Sequence, residues 1–501
     1  MTAPATQRRP AVSLRAVAAA FALGAFCVLG FAPFDAYFAV WPAPTFSLGG
    51  LYLLWRRAAT AREALLLGLA WGAGCFLLGV SWVYVSLSQF GGMAPPAAAA
   101  ATLLFCLYLA LFPALAGALF LRWRRSTARD VWLFAGLWTL TEWLRGTLFT
   151  GFPWLAVGYA QSPPSPLAGW ASVLGVYGVG FIVALIGALL GHMRLDGWRR
   201  PGPWIAILLL LGFGGLLRAM DWTQPVGNPV TVSLLQGNVP QSLKWDPKRL
   251  PLSVETYLKL AHTHPATLTV LPETAIPLYF SEVPREVLRG LTAHGDALIG
   301  VAIGTTDGGY TNGAVALTPQ LAAGAYAKRH LVPFGEYPPP GFAWFFRFAR
   351  IPMSDFTAGP TLQAPLDIAG QRIAPNICYE DIFGEELLDA LPAATLLVNL
   401  SNTAWFGDSL AQPQHLQIAR LRAIETGRTM LRATNTGMTA MVNPDGSIAA
   451  ALPPFTTAAL VVNAQGRTGR TPYTRWGNAL ALLIAVAACV PALRRRKRQS
   501  L

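Results

Sequence analysis

Seven apolar stretches, each long enough to cross a bilayer, dominate the first 217 residues. They lie near residues 12–31, 37–55, 64–85, 97–121, 131–149, 167–191 and 203–217, and an eighth lies near 476–493. Hydrocarbon offers no water to satisfy backbone N–H and C=O groups, so continuous apolar runs of this length fold as helices. The sequence therefore predicts a polytopic helical membrane domain of about eight spans, with one long polar segment between the seventh span and the eighth. Pro33, Pro42 and Pro44 interrupt the pattern at the first two junctions. The first stretch could serve as a signal peptide, but its length and the six spans behind it favour an uncleaved helix.

Charge gives the orientation. The segment from Ala219 to Arg470 holds 17 of the 38 Lys and Arg and 19 of the 24 Asp and Glu, so it is near neutral. The rest of the chain holds 21 basic and 5 acidic residues. This excess lies at the termini and in alternate loops. Arg8 and Arg9 precede the first span, and Arg56, Arg57 and Arg62 follow the second. Arg122, Arg124, Arg125 and Arg129 follow the fourth, Arg194, Arg199 and Arg200 the sixth, and the all-basic run 494–498 the eighth. The loops 86–96 and 150–166 contain no Lys or Arg. The positive-inside rule puts both termini in the cytoplasm and the long polar segment on the far side, which in a bacterium is the periplasm. The basic excess thus reports membrane orientation and not nucleic-acid binding. The expected division is 1–218 as a seven-span membrane domain, 219–475 as one outer domain, and 476–501 as the eighth span with a basic tail.

Within the fifth span, Glu142 and Arg145 stand three residues apart on one helix face. Intramembrane charges face protein or a wet cavity, so the pair reads either as an ion pair that fixes packing or as a lipid-headgroup contact. The loop Gly151-Phe152-Pro153-Trp154 that follows is aromatic, as membrane-edge anchors are.

The outer segment alternates strand-like runs with helical patterns. Strands are expected near 230–235, 267–271, 297–304, 314–317, 322–327, 373–377, 395–400, 439–442 and 460–462, and helices near 252–262, 284–294 and 413–429. That alternation predicts an α/β domain with covered sheets. Charged residues collect where strands end: Glu273 after 267–271, Lys328 after 322–327, Glu336 a short turn later, and Cys378 after 373–377. Side chains at strand ends converge on one rim, where ligand sites form. Cys378 is the one cysteine outside the apolar stretches; Cys27, Cys75, Cys106 and Cys489 all lie within them. A lone thiol beside a carboxylate and an ammonium makes a nucleophile: the carboxylate takes the thiol proton, and the ammonium favours thiolate and steadies an oxyanion. The backbone N–H of Tyr379 could be a second oxyanion donor. A papain-like pairing of Cys378 with His330 or His415 is the other way to activate the thiol. His262 and His264 are a weak pair without further nearby ligands, so no metal site is expected.

Glu273, Lys328 and Cys378 resemble, in order and spacing, the Glu-Lys-Cys triad of the nitrilase superfamily. Longer motifs narrow the resemblance to the apolipoprotein N-acyltransferase family. They are Gln236-Gly237-Asn238-Val239-Pro240-Gln241-Ser242-Leu243-Lys244-Trp245, the run 328–337, Cys378-Tyr379-Glu380-Asp381, Asn399-Leu400-Ser401-Asn402 through Trp405-Phe406-Gly407, and Glu142-Trp143-Leu144-Arg145-Gly146 leading into residues 149–154. The resemblance implies a nitrilase-like αββα sandwich on a membrane domain in the bacterial inner membrane. It also implies ping-pong acyl transfer through a Cys378 thioester, from a phospholipid donor such as phosphatidylethanolamine to the N-terminal amine of an apolipoprotein's diacylglyceryl-cysteine. No cofactor is implied. Glu336 would support the triad, Tyr379 and Glu380 would shape the site, and Trp245 would line its entrance on a mobile loop. Two readings compete: a membrane-tethered nitrilase-type amidase that uses water, and a transporter or channel with a regulatory outer domain. Against the second, the spans carry few polar groups beyond Glu142 and Arg145.

Overall fold

The computed structural model describes residues 12–34, 40–125, 128–240, 250–341 and 355–493. Trp245, expected at the site entrance, lies outside the described residues. Each predicted apolar stretch holds a helix. The first seven are α1 (Leu14–Cys27), α2 (Ala43–Arg57), α3 (Ala61–Gly79), α4 (Pro95–Trp123), α5 (Asp130–Arg145), α6 (Ala171–Asp196) and α7 (Pro201–Arg218). By length and composition, four helical segments suffice to cross a membrane: Ala61–Gly79, Pro95–Trp123, Pro166–Asp196 and Pro201–Arg218. Other helices are shorter; α2 has 15 residues and α5 has 16.

Small residues let these helices approach closely, as packing in lipid requires. A Cβ added to Gly24 of α1 would strike the carbonyl of Trp71 on α3, and one added to Gly74 would strike that of Phe21 on α1. The far side of the bundle is open. Helix α7 buries only Ile207 and Gly214 and leaves Leu208 and Leu216 66% and 64% exposed. In water such a helix would be a liability; in a bilayer it is a lipid-facing surface.

Beyond α7 the backbone turns to strands. A short pair, β1 (Thr223–Pro225) with β15 (Arg467–Gly469), closes the base of the outer domain. One sheet runs in the order β14-β2-β3-β5-β6-β7, with β4 (Ile276–Tyr279) paired to β5. Its strands are β2 (Val230–Gln236), β3 (Leu268–Val270), β5 (Asp296–Gly304), β6 (Tyr310–Leu317), β7 (Ala323–Ala327) and β14 (Ala458–Ala464). The other runs β13-β12-β11-β10-β9-β8. It is built from β8 (Leu366–Ile368), β9 (Gln371–Ile377), β10 (Leu396–Ser401), β11 (Met430–Thr434), β12 (Ala440–Val442) and β13 (Ile448–Ala451).

The sheets face each other across one apolar core, with Val232, Leu234 and Leu298 from the first and Ile373, Val398 and Leu400 from the second. Helices α8 (Leu250–Thr263) and α9 (Arg285–Leu291) cover the first sheet through Tyr257, Leu260 and Leu288. Helix α10 (Ala411–Thr426) covers the second through Leu416, Ala419 and Ala423. The layers are therefore α–β–β–α, and the chain returns to the bundle as α11 (Ala479–Leu493). The helix expected over 413–429 stops at Thr426, because Gly427 takes the left-handed conformation (φ 62°) that ends a helix.

The close contact of α1 with α3 is directly testable. Gly74→Leu should drive the two helices apart and destabilise the detergent-solubilised protein by about 1–3 kcal/mol, read as a lowered Tm.

Candidate active site

Strand register brings the predicted residues to one rim. β3 and β9 run into the site at their C-terminal ends and deliver Glu273 and Cys378. β7 pairs antiparallel with β6, and Ala327 stands opposite Gly313. One step beyond, the Lys328 N–H donates to the Asn312 carbonyl at 2.8 Å, so the lysine enters the rim beside β6.

Lys328 is completely buried. A buried ammonium survives only with charged partners. Its Nζ lies 2.8 Å from Glu336 Oε1 and 3.5 Å from Glu273 Oε1. Asn312 Nδ2 donates to the same two oxygens, at 3.0 Å to Glu336 and 2.7 Å to Glu273. Each carboxylate is fixed on its other side as well. Glu273 Oε2 accepts from the Asn402 N–H at 2.8 Å, and Glu336 Oε2 accepts from the Val332 N–H at 2.8 Å. Burial works against the Lys328 charge, but Glu336 and then Glu273 hold its pKa above the ordinary lysine value.

Cys378 sits at the turn from β9 into a 3-10 helix, with φ of 52°. A non-glycine residue in this region is strained and is held by its surroundings. Asn399 Nδ2 donates to the Cys378 carbonyl at 3.2 Å. Glu380 ties the turn together: its carboxylate accepts from the Ile377 N–H at 2.6 Å, the Arg329 N–H at 2.8 Å and the Tyr326 hydroxyl at 3.0 Å. Burial pushes the thiol well above its usual range, Glu273 adds to this, and Lys328 only partly offsets them. Lys328 thus favours thiolate as expected, but burial outweighs it, so the thiol needs a base to react.

The remaining expected residues fall close by. The Tyr379 hydroxyl donates to the Gly151 carbonyl at 3.0 Å, joining the residue after Cys378 to the membrane-side loop. That loop is held by the charged pair of α5. Arg145 Nη1 donates to the carbonyls of Phe152 and Trp154, and Glu142 Oε1 accepts from the Val157 N–H at 3.0 Å. Glu142 and Arg145 lie 3.8 Å apart and both are buried within the protein. The two histidines weighed as bases both face carboxylates. His330 Nδ1 is 2.7 Å from Glu386, and His415 Nε2 is 2.6 Å from Asp381. Asn312 was not legible as a site residue, because its partners Glu273 and Glu336 lie 39 and 24 residues away. Asn402 was visible only as part of a motif.

Residues 23–189 match the apolipoprotein N-acyltransferase N-terminal domain, and residues 231–473 match the carbon-nitrogen hydrolase family. Fold and site together define a membrane-embedded enzyme with a nitrilase-like catalytic domain. The chain is 49% identical to the apolipoprotein N-acyltransferase of Nitrosomonas europaea over 480 residues, covering 93% of this chain and 94% of that protein. It is 45% identical to that of Ralstonia nicotianae over 493 residues, covering 95% and 92%. The chain belongs to the apolipoprotein N-acyltransferase family. Among solved structures, a CN-hydrolase superfamily protein from Xanthomonas campestris covers 55% of this chain and 100% of its own, at 18% identity and a TM-score of 0.36.

The Glu380 carboxyl gives a pH signature. Burial raises it from 4.5 to about 7, against the N–H groups of Ile377, Arg329 and His330 and the Lys328 charge. The folded state therefore holds this proton more tightly than the unfolded chain does. The resulting stabilisation is full below the unfolded value and is lost as pH rises through about 7. Glu380→Gln should flatten the fall in Tm across that window, and an unchanged slope would mean that the group does not titrate there.

Proposed function

We propose that the protein transfers an acyl chain from a phospholipid, with phosphatidylethanolamine as donor, to the N-terminal amine of the diacylglyceryl-cysteine of an apolipoprotein. The observation that carries this reading is the hydrogen bond from Tyr379, beside the thiol, to Gly151 in the loop of the membrane segment. It joins the turn that carries Cys378 to the apolar helical segment, which supports a reading in which donor and acceptor keep their acyl chains in the bilayer. In this reading, residues 1–218 and 476–501 form an eight-span domain of the bacterial inner membrane with both termini in the cytoplasm. Residues 219–475 form the catalytic domain in the periplasm.

The chemistry follows from the resting charges. Glu273 takes the Cys378 proton as Sγ attacks the donor ester carbonyl. Lys328 and the Tyr379 N–H steady the oxyanion, which is the role preorganised donors play. The tetrahedral intermediate collapses, the C–O bond breaks, and the departing lysophospholipid oxygen receives the proton from Glu273. A thioester remains. The lipoprotein amine then attacks it and gives its proton to Glu273. The C–S bond breaks, and the proton returns to sulfur. Glu336 and Asn312 hold Lys328 and Glu273 at fixed spacing throughout. An amidase would need water as acceptor and one helix as anchor; a membrane segment packed against the nucleophile's own turn favours lipid substrates.

Incubation with phosphatidylethanolamine labelled in its acyl chain should place the label on Cys378, read by peptide mass spectrometry. Cys378→Ala should carry none and show no turnover, and residual transfer in that variant would remove the mechanism. Topology has its own test. Reporter fusions after Arg57, Arg125 and Arg200 should read cytoplasmic, and fusions between Gly227 and Arg470 periplasmic; a cytoplasmic reading in that last segment would part the enzyme from its substrates.

A further inference from the structure

Asn399 and Glu380 hold the strained Cys378 turn from the side of the sheets. A third support lies beneath it and leads elsewhere. Asp381, three residues after the thiol in the same 3-10 turn, is completely buried. Its Oδ1 lies 2.6 Å from His415 Nε2, and its Oδ2 accepts from the Arg432 guanidinium. His415 belongs to α10 and Arg432 to β11, so two separate elements converge on one carboxylate. Burial and these partners act in opposite directions on Asp381, and the partners prevail: its pKa falls below the usual carboxylate range. The charge is therefore present, and its two contacts are directional.

The network continues into the membrane segment. The His415 ring lies 5.4 Å from the indole of Trp154. Trp154 Nε1 donates to Gln414 Oε1 at 2.7 Å, and Gln414 Nε2 donates to the Gly79 carbonyl, at the end of α3, at 3.2 Å. The Trp154 carbonyl accepts from Arg145 of α5 at 2.7 Å. An apolar side chain at 381 could fill the same space, since a buried ion pair is weak evidence of stability for its own sake. What directional charge adds is a fixed geometry.

We propose that Asp381, His415 and Arg432 are positioning residues that aim Cys378, and that Trp154 ties them to the membrane segment. The same segment that holds the lipid substrate then sets the orientation of the thiol. This rests on Cys378 being the nucleophile.

The test uses the full-length protein in lipid nanodiscs, with two rate measurements and Tm. Alkylation of Cys378 by iodoacetamide, followed by peptide mass spectrometry, needs no lipid substrate. Single-turnover acylation from phosphatidylethanolamine needs the whole reaction. Asp381→Asn keeps the shape and removes the charge. It should slow both rates by between about tenfold and a hundredfold, the cost of a small misplacement of a reacting group, while KM for phospholipid stays within about twofold. His415→Gln keeps an N–H for Asp381 and should retain more of both rates than His415→Ala. Unchanged rates in Asp381→Asn, with only Tm lowered, would make the network purely structural and overturn the proposal. If Asp381→Asn fails to fold, His415→Gln, His415→Ala and Trp154→Phe decide: slower alkylation at normal Tm supports it, and wild-type alkylation in all three overturns it. Wild-type protein that is alkylated at Cys378 but never acylated would instead defeat the acyl-transfer reading, and the alkylation series would still decide the positioning role.

Discussion

Helix α10 is buried nearly all round, yet much of its sequence is polar: Gln412, Gln414, His415, Gln417, Arg420, Arg422 and Glu425. A polar group without water must find a partner in the protein. One face of α10 packs on the six-stranded sheet, and the other meets its partners in the membrane segment. Gln414 reaches Gly79, and the Gln417 Oε1 accepts from the Ala32 N–H at 3.0 Å. Arg420 donates to the Pro163 carbonyl, Arg422 donates to the Tyr159 hydroxyl at 3.0 Å, and Glu425 accepts from the Val176 N–H at 2.8 Å. Apolar contacts alone would let two bodies slide. These hydrogen bonds allow one docking arrangement, and the apolar core of the bundle continues into Tyr379, Ile382 and Ile418 of the outer domain.

That docking matters because of where α10 sits relative to the chemistry. It covers the sheet whose strand β9 ends in Cys378, so the height of the thiol above the bundle is fixed by the same helix that satisfies the seam. A soluble enzyme waits for its substrate to diffuse in. Here the turn that carries the thiol is packed directly on the apolar bundle.

The rim itself depends on charge balance at close quarters. Lys328 is enclosed between Glu273 and Glu336, and Asn312 donates to both side chains and holds them in place. The Cys378 thiol enters this cluster protonated. A preformed thiolate would be exposed to oxidation and side reactions before a substrate arrived. A neutral thiol beside a fixed carboxylate reacts only when an electrophile is in place to drive the proton transfer.

The apolar helices and the strand ends that carry Glu273 and Cys378 were legible because each rests on a local pattern: hydropathy over a helix length, or a polar residue at the end of an apolar strand. Strand β11 was not, because its Met430-Leu431-Arg432-Ala433-Thr434 carries a buried arginine where an apolar residue marks a core strand. That arginine is there for Asp381, 51 residues earlier, which no local pattern reveals. Asn312 was missed for the same reason, and so were the loop residues 152–157 as hydrogen-bond partners of Glu142 and Arg145. The sequence by itself marked the apolar helices and the ionisable residues that stand at strand ends, because hydropathy and charge leave short-range signatures. Only the tertiary structure decided how the buried charges pair and how the catalytic domain is locked to the bundle, because those pairings join residues up to 385 positions apart and exist only once the chain has folded.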